Sequence, residues 1–300
     1  MPNHLLEIDD LSSAAITKII ELSKVEDPDQ VLQNKGAALL FEKPSNRTRN
    51  SMEMAIIQLG GHPITIRPDE VGIGERESAE DVARTLSCYH ALIGARVFAH
   101  STVEKLAGAS TVPVVNMLSD TSHPLQALAD LLTIWEEFGT FEGCAVAYVG
   151  DANNVARSLA MACGLMGIEF RIAHPDGYGF SKSDEEAIRG IGTLLFTTHS
   201  PSEAVAEANV VYTDVWASMG QEKERVKRLA DFEGYTVEDK LFELTNEDSI
   251  FMHCLPAHPG EEVSRSVLDS SRSRIWEQAE NRMHAARGFL LHLFQEGNQK

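Results

Sequence analysis

The sequence is poor in basic residues, sparing in cysteine and free of long apolar runs. Lysine and arginine number 26 against 45 aspartates and glutamates, so the formal net charge is −19 at pH 7. Such a surface repels phosphate backbones and anionic lipids, which argues against nucleic acid or a membrane as the main partner. No window approaches the roughly 18 apolar residues that a membrane-spanning helix needs. Arginines that cluster in so acidic a chain are therefore informative.

The four cysteines, Cys88, Cys144, Cys163 and Cys254, stand far apart and none belongs to a CxxC pair. The spacing therefore indicates neither a zinc site nor a disulfide framework. The N-terminus, MPNHLLEIDDLSS, has no basic segment followed by an apolar core. From these features we expect a cytoplasmic protein with reduced thiols.

Apolar strand patterns alternate with helical patterns along the 300 residues. The strand patterns are GAALLFE, PITIRP, ALIGARVF, TVPVVNML, CAVAYVGD, FRIAHP, NVVYTDV and SIFMHCLP. Helix-like stretches such as TRNSMEMAIIQLGG and SAEDVARTLSCYH lie between most of them. This alternation predicts an α/β fold with two doubly wound parallel-sheet domains, each sheet covered by helices.

Two long helical patterns link the predicted domains. The first covers residues 122–139 and precedes the strand pattern CAVAYVGD, so we place the domain boundary within it. The second covers residues 276–297, after the last strand pattern. We therefore predict a first domain of residues 1–135, completed by the helix 276–297, and a second domain of residues 136–275.

The segment PSNRTR places Ser45, Asn46, Arg47 and Thr48 where an apolar strand ends and a helix begins. Free backbone N–H groups and the helix dipole favour a phosphate or carboxylate at such a position. Arg47 and Arg49 would add charge-assisted hydrogen bonds. The alternative is a surface helix whose arginines pair with nearby glutamates.

The segment SHPLQALAD places His123 and Gln126 three residues apart on the first turn of the helix 122–139. Arg96 ends another strand pattern, so all three residues are expected at the carboxyl edge of the first sheet, where such sheets bind ligands. Taken alone, His123 is more typical of an ordinary capping residue.

In the second half, YVGDANN resembles a dinucleotide-binding turn but has no GxGxxG motif. The loops TDVWASMG and HCLPAH each follow a strand pattern and carry Asp214, Ser218, Met219 and Cys254. Taken alone, Cys254 is more typical of a small buried side chain than of a nucleophile.

The segments FEKPSNRTR, SHPLQALAD, TDVWASMGQE, HCLPAH and WEQAENRMHA occur in this order across the chain. With them the sequence resembles the ornithine branch of the aspartate/ornithine carbamoyltransferase family over essentially its full length. The resemblance implies an enzyme that transfers the carbamoyl group of carbamoyl phosphate to the side-chain amine of L-ornithine, giving citrulline for arginine biosynthesis. It also implies a homotrimer with active sites at subunit boundaries, and no metal or cofactor.

The resemblance assigns residues to each substrate. Those implied for carbamoyl phosphate are Ser45, Asn46, Arg47, Thr48, Arg96, His123, Gln126, Leu255 and Arg282. Those implied for ornithine are Asn154, Asp214, Ser218, Met219 and Cys254, with Leu255 close to the reacting amine. The implied catalytic residues are Arg96, His123, Asp214 and Cys254.

Three positions depart from the family pattern: Asn46 in place of threonine, Gly72 in place of glutamine and Pro259 in place of arginine. The chemistry could also act on another amine, such as N-acetylornithine or putrescine, although Asp214, Ser218 and Met219 suit an amino-acid head group. A non-catalytic, anion-binding homologue is a further alternative. A cysteine hydrolase using Cys254 with His253 or His258 is disfavoured, because adjacent strand residues point to opposite faces.

Overall fold

The computed structural model describes residues 3–217 and 224–297. Within these residues nine strands alternate with helices, as the sequence pattern predicts. The strands are β1 (Gly36–Phe41), β2 (His62–Ile66), β3 (Leu92–Arg96), β4 (Val114–Leu118), β5 (Ala145–Val149), β6 (Glu169–Ala173), β7 (Leu195–Thr198), β8 (Val210–Thr213) and β9 (Ile250–His253).

Helices connect successive strands, and a short 3-10 helix, Ile8–Asp10, precedes them. The α-helices are α1 (Ser13–Ser23), α2 (Asn46–Gln58), α3 (Pro68–Val71), α4 (Ala79–Ser87), α5 (His100–Ala109), α6 (Pro124–Phe138), α7 (Asn154–Leu165), α8 (Lys182–Gly190), α9 (Pro201–Val205), α10 (Arg225–Asp231), α11 (Asp239–Phe242), α12 (Arg265–Leu268) and α13 (Ile275–Gly297). None of the described helices combines the length and apolar content that crossing a bilayer requires.

The chain forms two compact units. The first comprises Met1–Leu132 and Glu280–Lys300, and the second comprises Thr133–Ala279. The divisions fall inside α6 and α13, the two long helices.

The first unit is built on a parallel sheet with the strand order β2-β1-β3-β4. Strands β1, β3 and β4 are buried along most of their length, whereas the edge strand β2 is partly exposed. The sheet packs against α4 and α5 through Val82, Ala83, Val103 and Leu106. Burying each large aliphatic side chain contributes about 1.5–3 kcal/mol. The chain moves from β2 on one side of β1 to β3 on the other, so the strand order reverses between β1 and β3.

The second unit is built on a parallel sheet with the strand order β7-β6-β5-β8-β9. Its order reverses between β5 and β8, and its core includes Val149, Val211, Trp216, Phe232 and Phe251. The predicted fold of two doubly wound parallel sheets is confirmed. The predicted strand series omitted β7, an edge strand whose middle residues are exposed and so show no buried run.

Candidate active site

The first unit gathers polar residues at the carboxyl ends of β1 and β3, where its strand order reverses. Phe41, the last residue of β1, pairs with Arg96, the last residue of β3. Residues 42–45, EKPS, connect β1 to α2, which begins at Asn46. The Ser45 hydroxyl caps this helix by accepting from Thr48 N at 3.2 Å. This is the crevice in which open α/β sheets bind ligands.

Arg47 and Arg49 have different surroundings at the start of α2. Arg49 is exposed and forms a 2.9 Å ion pair with Glu53 on the next turn of the helix. Arg47 is half-buried and has no hydrogen bond or ion pair to any residue that the structure describes. The alternative of a structural ion pair therefore applies to Arg49, whereas Arg47 is available to an anion.

Two buried guanidinium groups meet at the Thr48 hydroxyl. Arg96 Nη1 donates to Thr48 Oγ1 at 3.1 Å, and Arg282 Nη2 donates to the same oxygen at 3.5 Å. All three side chains are buried. Placing two cations beside one helix N-terminus is unfavourable unless an anion compensates them, so this cluster is suited to a multiply charged anionic ligand.

The start of α6 adds His123 and Gln126 to this cluster. Arg282 Nη1 donates to Gln126 Oε1 at 2.5 Å, and Gln126 Nε2 donates to Asp130 Oδ1 at 2.8 Å. Burial, with Arg282 and Arg96 nearby, holds the pKa of His123 well below its usual range. His123 is therefore neutral near pH 7, and a neutral imidazole still donates one hydrogen bond.

The second unit gathers its polar residues at the ends of β5 and β8. Asp214 follows β8, and its two carboxylate oxygens have different partners. Asn153 Nδ2 donates to Oδ2 at 3.0 Å, and the Cys254 thiol donates to Oδ1 at 3.1 Å. The same Asn153 caps α7 by accepting from Val155 N and Ala156 N.

Cys254 lies one residue beyond the end of β9, so strand alternation does not separate it from His253. Ligand atoms of Asp214, His253 and Cys254 all lie within 4.8 Å of one another. However, both ring nitrogens of His253 have partners: Leu255 N donates to Nδ1 at 2.8 Å, and Nε2 lies 3.2 Å from the buried Glu262 carboxylate. This arrangement does not resemble a cysteine–histidine nucleophilic pair, in which a ring nitrogen accepts the thiol proton.

Among the residues that the structure describes, two groups of side chains have atoms close enough to share a cation. One is Asp214, His253 and Cys254, and the other is His258, Glu261 and Glu262. In both groups the carboxylates already accept hydrogen bonds or form ion pairs with protein groups.

The other residues implied for ornithine are only partly placed. Asn154 is half-buried as the first residue of α7. Leu255, next to Cys254 in the second unit, has a positive φ of 60°. Such a backbone conformation is costly for leucine and is found mostly at functional sites. Ser218 and Met219 lie outside the described residues.

Sequence reasoning assigned no role to three polar residues near Asp214 in the second unit. Asn153 was noted in the YVGDANN turn but not assigned to the substrate, although it bonds Asp214. Asp151 and Arg228 form a 2.7 Å ion pair across 77 positions of sequence. The sequence shows Asp151 as a carboxylate in a turn that follows a strand. Nothing in the sequence links Asp151 to Arg228.

The three departures from the family pattern have different local explanations. Asn46 Oδ1 accepts from Asn50 Nδ2 at 2.9 Å. Gly72 ends α3 with a left-handed φ of 61°, a conformation that glycine adopts without strain. Pro259 is exposed in a turn, where it pairs with Val263. Gly72 also lines a cavity of about 310 Å³ together with Glu42, Arg67 and Phe98.

Comparison with known proteins covers nearly the whole chain. Residues 3–136 match the family described as aspartate/ornithine carbamoyltransferase, carbamoyl-P binding domain. Residues 142–293 match aspartate/ornithine carbamoyltransferase, Asp/Orn binding domain.

Individual relatives agree with these matches. The chain is 51% identical over 262 residues to an ornithine carbamoyltransferase of Thermus thermophilus, covering 87% of this chain and 85% of that protein. It is 44% identical over 300 residues to the anabolic ornithine carbamoyltransferase of Pyrococcus furiosus, covering 95% and 94%. The solved structure of the ornithine carbamoyltransferase from P. furiosus superposes with a TM-score of 0.91 at 43% identity, over 96% of each chain. The chain therefore belongs to the aspartate/ornithine carbamoyltransferase family.

Proposed function

We propose that the chain transfers the carbamoyl group of carbamoyl phosphate to the side-chain amine of L-ornithine, giving L-citrulline and phosphate. The observation that carries the proposal is the convergence of Arg96 and Arg282 on Thr48 at the start of α2. The relatives named ornithine carbamoyltransferase support the choice of reaction and of acceptor.

Carbamoyl phosphate would bind in the first unit with its phosphate at the start of α2. Free N–H groups of the first helical turn, the helix dipole and Arg47 all favour a phosphate there. As the phosphate leaves, its negative charge grows, and these groups stabilise the charged product more than the bound acyl phosphate. The same arrangement therefore binds the substrate and lowers the barrier.

Arg96 and His123 would act on the carbamoyl carbonyl. Attack by an amine places negative charge on the carbonyl oxygen, which a buried cation and a preorganised hydrogen-bond donor stabilise. His123 suits the donor role because its lowered pKa keeps it neutral, and a neutral imidazole donates one hydrogen bond. Gln126 holds Arg282 in place through their 2.5 Å hydrogen bond.

The nucleophile must be a neutral amine, whereas a lysine-like amine has a pKa of about 10.4. Deprotonating it near pH 7 therefore costs roughly 4–5 kcal/mol. In the second unit, Asp214 and Cys254 would position the amine and relay its proton, since the thiol already donates to the carboxylate. Asn154, Asp214, Ser218 and Met219 would hold the amino-acid head group.

The experiment is citrulline formation by the purified protein with carbamoyl phosphate and one of four acceptors: L-ornithine, N-acetylornithine, putrescine or aspartate. Selective turnover of L-ornithine is expected. Turnover of another acceptor would contradict the assignment of the second unit. Binding of carbamoyl phosphate without turnover of any acceptor would instead indicate a non-catalytic homologue.

Three further statements concern the role, assembly and location of the protein. We propose a biosynthetic role in arginine formation, which the relative named anabolic supports. We propose a homotrimer on the resemblance of the sequence motifs to the family. A cytoplasmic location stays a prediction of the sequence alone.

A further inference from the structure

Arg228 is a buried cation in the second unit that the reaction itself does not use. It lies on α10, and its side chain is 10% exposed. Its Nη1 donates to Asp151 Oδ2 at 2.7 Å and to the carbonyl oxygen of Trp216 at 2.9 Å. Its Nε donates to Glu224 at 3.3 Å, and its guanidinium lies 5.0 Å from the centre of the Tyr178 ring. These contacts fix the guanidinium on several sides.

The two acceptors of Nη1 belong to loops that follow neighbouring strands. Asp151 lies two residues after β5, and Trp216 lies three residues after β8. These strands pair in parallel, and the strand order reverses between them. Arg228 thus bridges the two loops that flank the ligand crevice of this sheet.

Each bridged loop leads directly to a residue proposed to bind ornithine: Asn154 after Asp151 and Asn153 in the first loop, and Asp214 in the second. Asn153 N donates to the Asp151 carbonyl at 2.7 Å, and Asn153 Nδ2 donates to Asp214 at 3.0 Å. Asp214 stands two residues before Trp216 and accepts from the Cys254 thiol. A continuous chain of hydrogen bonds therefore runs from Arg228 through Asp151 and Asn153 to the Asp214 carboxylate.

The ion pair also offsets part of the cost of burying the Asp151 carboxylate. Burial raises the pKa of Asp151 above its ordinary value, and Arg228 opposes this rise while Asp214 adds to it. Without the guanidinium, Asp151 would be a buried carboxylate close to a second one, which is unfavourable.

We propose that Arg228 is a positioning residue for ornithine: it holds the loops after β5 and β8 at the separation that places Asn154 and Asp214 for the amino acid. The inference rests on the proposed function and assigns no contact between Arg228 and substrate. Because Arg228 acts within the second unit, its loss should affect ornithine and spare carbamoyl phosphate.

The test compares Arg228→Met, Arg228→Lys and Asp151→Asn with the wild-type protein in steady-state assays against each substrate. Displacing a group that positions a substrate by about 1 Å costs an enzyme up to about 100-fold in efficiency. Arg228→Met should therefore raise KM for ornithine by about 10- to 100-fold. KM for carbamoyl phosphate should change by no more than about twofold. Arg228→Lys keeps the charge but lacks the forked donor, so its KM for ornithine should lie between those of the wild-type protein and Arg228→Met. Arg225→Met is the matched control, since Arg225 is exposed on the same helix.

A double-mutant cycle shows whether Arg228 acts through Asp151. The double variant Arg228→Met with Asp151→Asn should lose no more kcat/KM for ornithine than the worse single variant. Independent losses that multiply would overturn the inference, and so would an equal rise of both KM values in Arg228→Met. If Arg228→Met does not fold, Arg228→Lys and Asp151→Asn decide by the same split of KM values.

Hydrogen exchange separates this inference from the proposed function. Arg228→Met should speed amide exchange in residues 150–157 and 213–217 but not in β1, whether or not the wild-type protein makes citrulline. Unchanged exchange in both loops would overturn the positioning role. Absence of citrulline formation by the wild-type protein would overturn only the proposed function.

Discussion

Arg47 and Arg49 are two residues apart, yet the helix directs them to different surroundings. Successive residues of a helix differ in direction by about 100°, so Arg49 reaches Glu53 one turn ahead, and Arg47 does not. The sequence shows both as equal candidates for an anion. The helical geometry selects one of them.

We predict that Arg47→Gln raises KM for carbamoyl phosphate by about 10- to 100-fold, because a charge-assisted hydrogen bond is worth about 1.5–3 kcal/mol. Arg49→Gln is the control on the same turn and should change that KM by no more than about twofold. The measurement is initial rate against carbamoyl phosphate at saturating ornithine. Equal effects of the two substitutions would contradict the distinction.

The buried His123 makes stability depend on pH. Its pKa in the folded protein is lowered by burial, Arg282 and Arg96, whereas in the unfolded chain it is about 6.5. Below that pH the unfolded state binds a proton that the folded state does not, so the free energy of unfolding falls as pH falls, by at most about 1.4 kcal/mol per pH unit.

We predict that this loss between about pH 6.5 and 5 is smaller in His123→Asn, which cannot bind the proton. Urea unfolding of both proteins across this range measures the difference. Parallel curves for the two proteins would show that His123 is not the group responsible.

At the scale of elements, α13 packs against α1 at a glycine. Arg287 Nη2 donates to the carbonyl oxygens of Ser23 and Val25, both at 2.8 Å. A Cβ at Gly288 would lie 2.2 Å from Ser23 Oγ and 2.6 Å from Ile19 O. The close approach of the two helices therefore requires glycine at this position.

We predict that Gly288→Ala lowers the free energy of unfolding by about 1–3 kcal/mol, as overpacking does. Gly108→Ala, in α5, is the matched control because its new Cβ meets no atom within 4 Å. Alanine has the higher helix propensity, so this control should raise stability by up to about 1 kcal/mol. Thermal or urea unfolding measures both. Equal losses would mean that the α1–α13 contact does not set the requirement.

The strand patterns predicted eight of the nine described strands, because most of these are buried parallel strands, which read as continuous apolar runs. They omitted β7, since Phe196 and Thr197 are exposed at the sheet edge. The ends of β1, β3 and β8 were likewise predictable. So were Arg96, the last residue of β3, and Asp214, which directly follows β8. The hydrogen bonds that join Arg96, Thr48, Gln126 and Arg282 were not, because these side chains meet only once α2, α6 and α13 are packed.

At the scale of the whole molecule, the proposed trimer has a direct test. We predict a mass in solution close to three times the 33.0 kDa of the chain. Size-exclusion chromatography with light scattering gives this mass without reference to shape. Measuring at low and high salt is informative, because a net charge of −19 makes the copies repel one another, and salt screens that repulsion. A monomer under both conditions would contradict the proposal.

The sequence by itself determined the fold class, the ends of the main strands and the residue types at the phosphate site. These features depend on local periodicity and on short motifs, which neighbouring residues specify. Only the tertiary structure decided that Arg47 and not Arg49 is available to an anion, that His123 is neutral, and that Arg228 joins the loops of Asp151 and Trp216. Such facts depend on burial and on contacts between residues distant in sequence, and a linear pattern does not encode either.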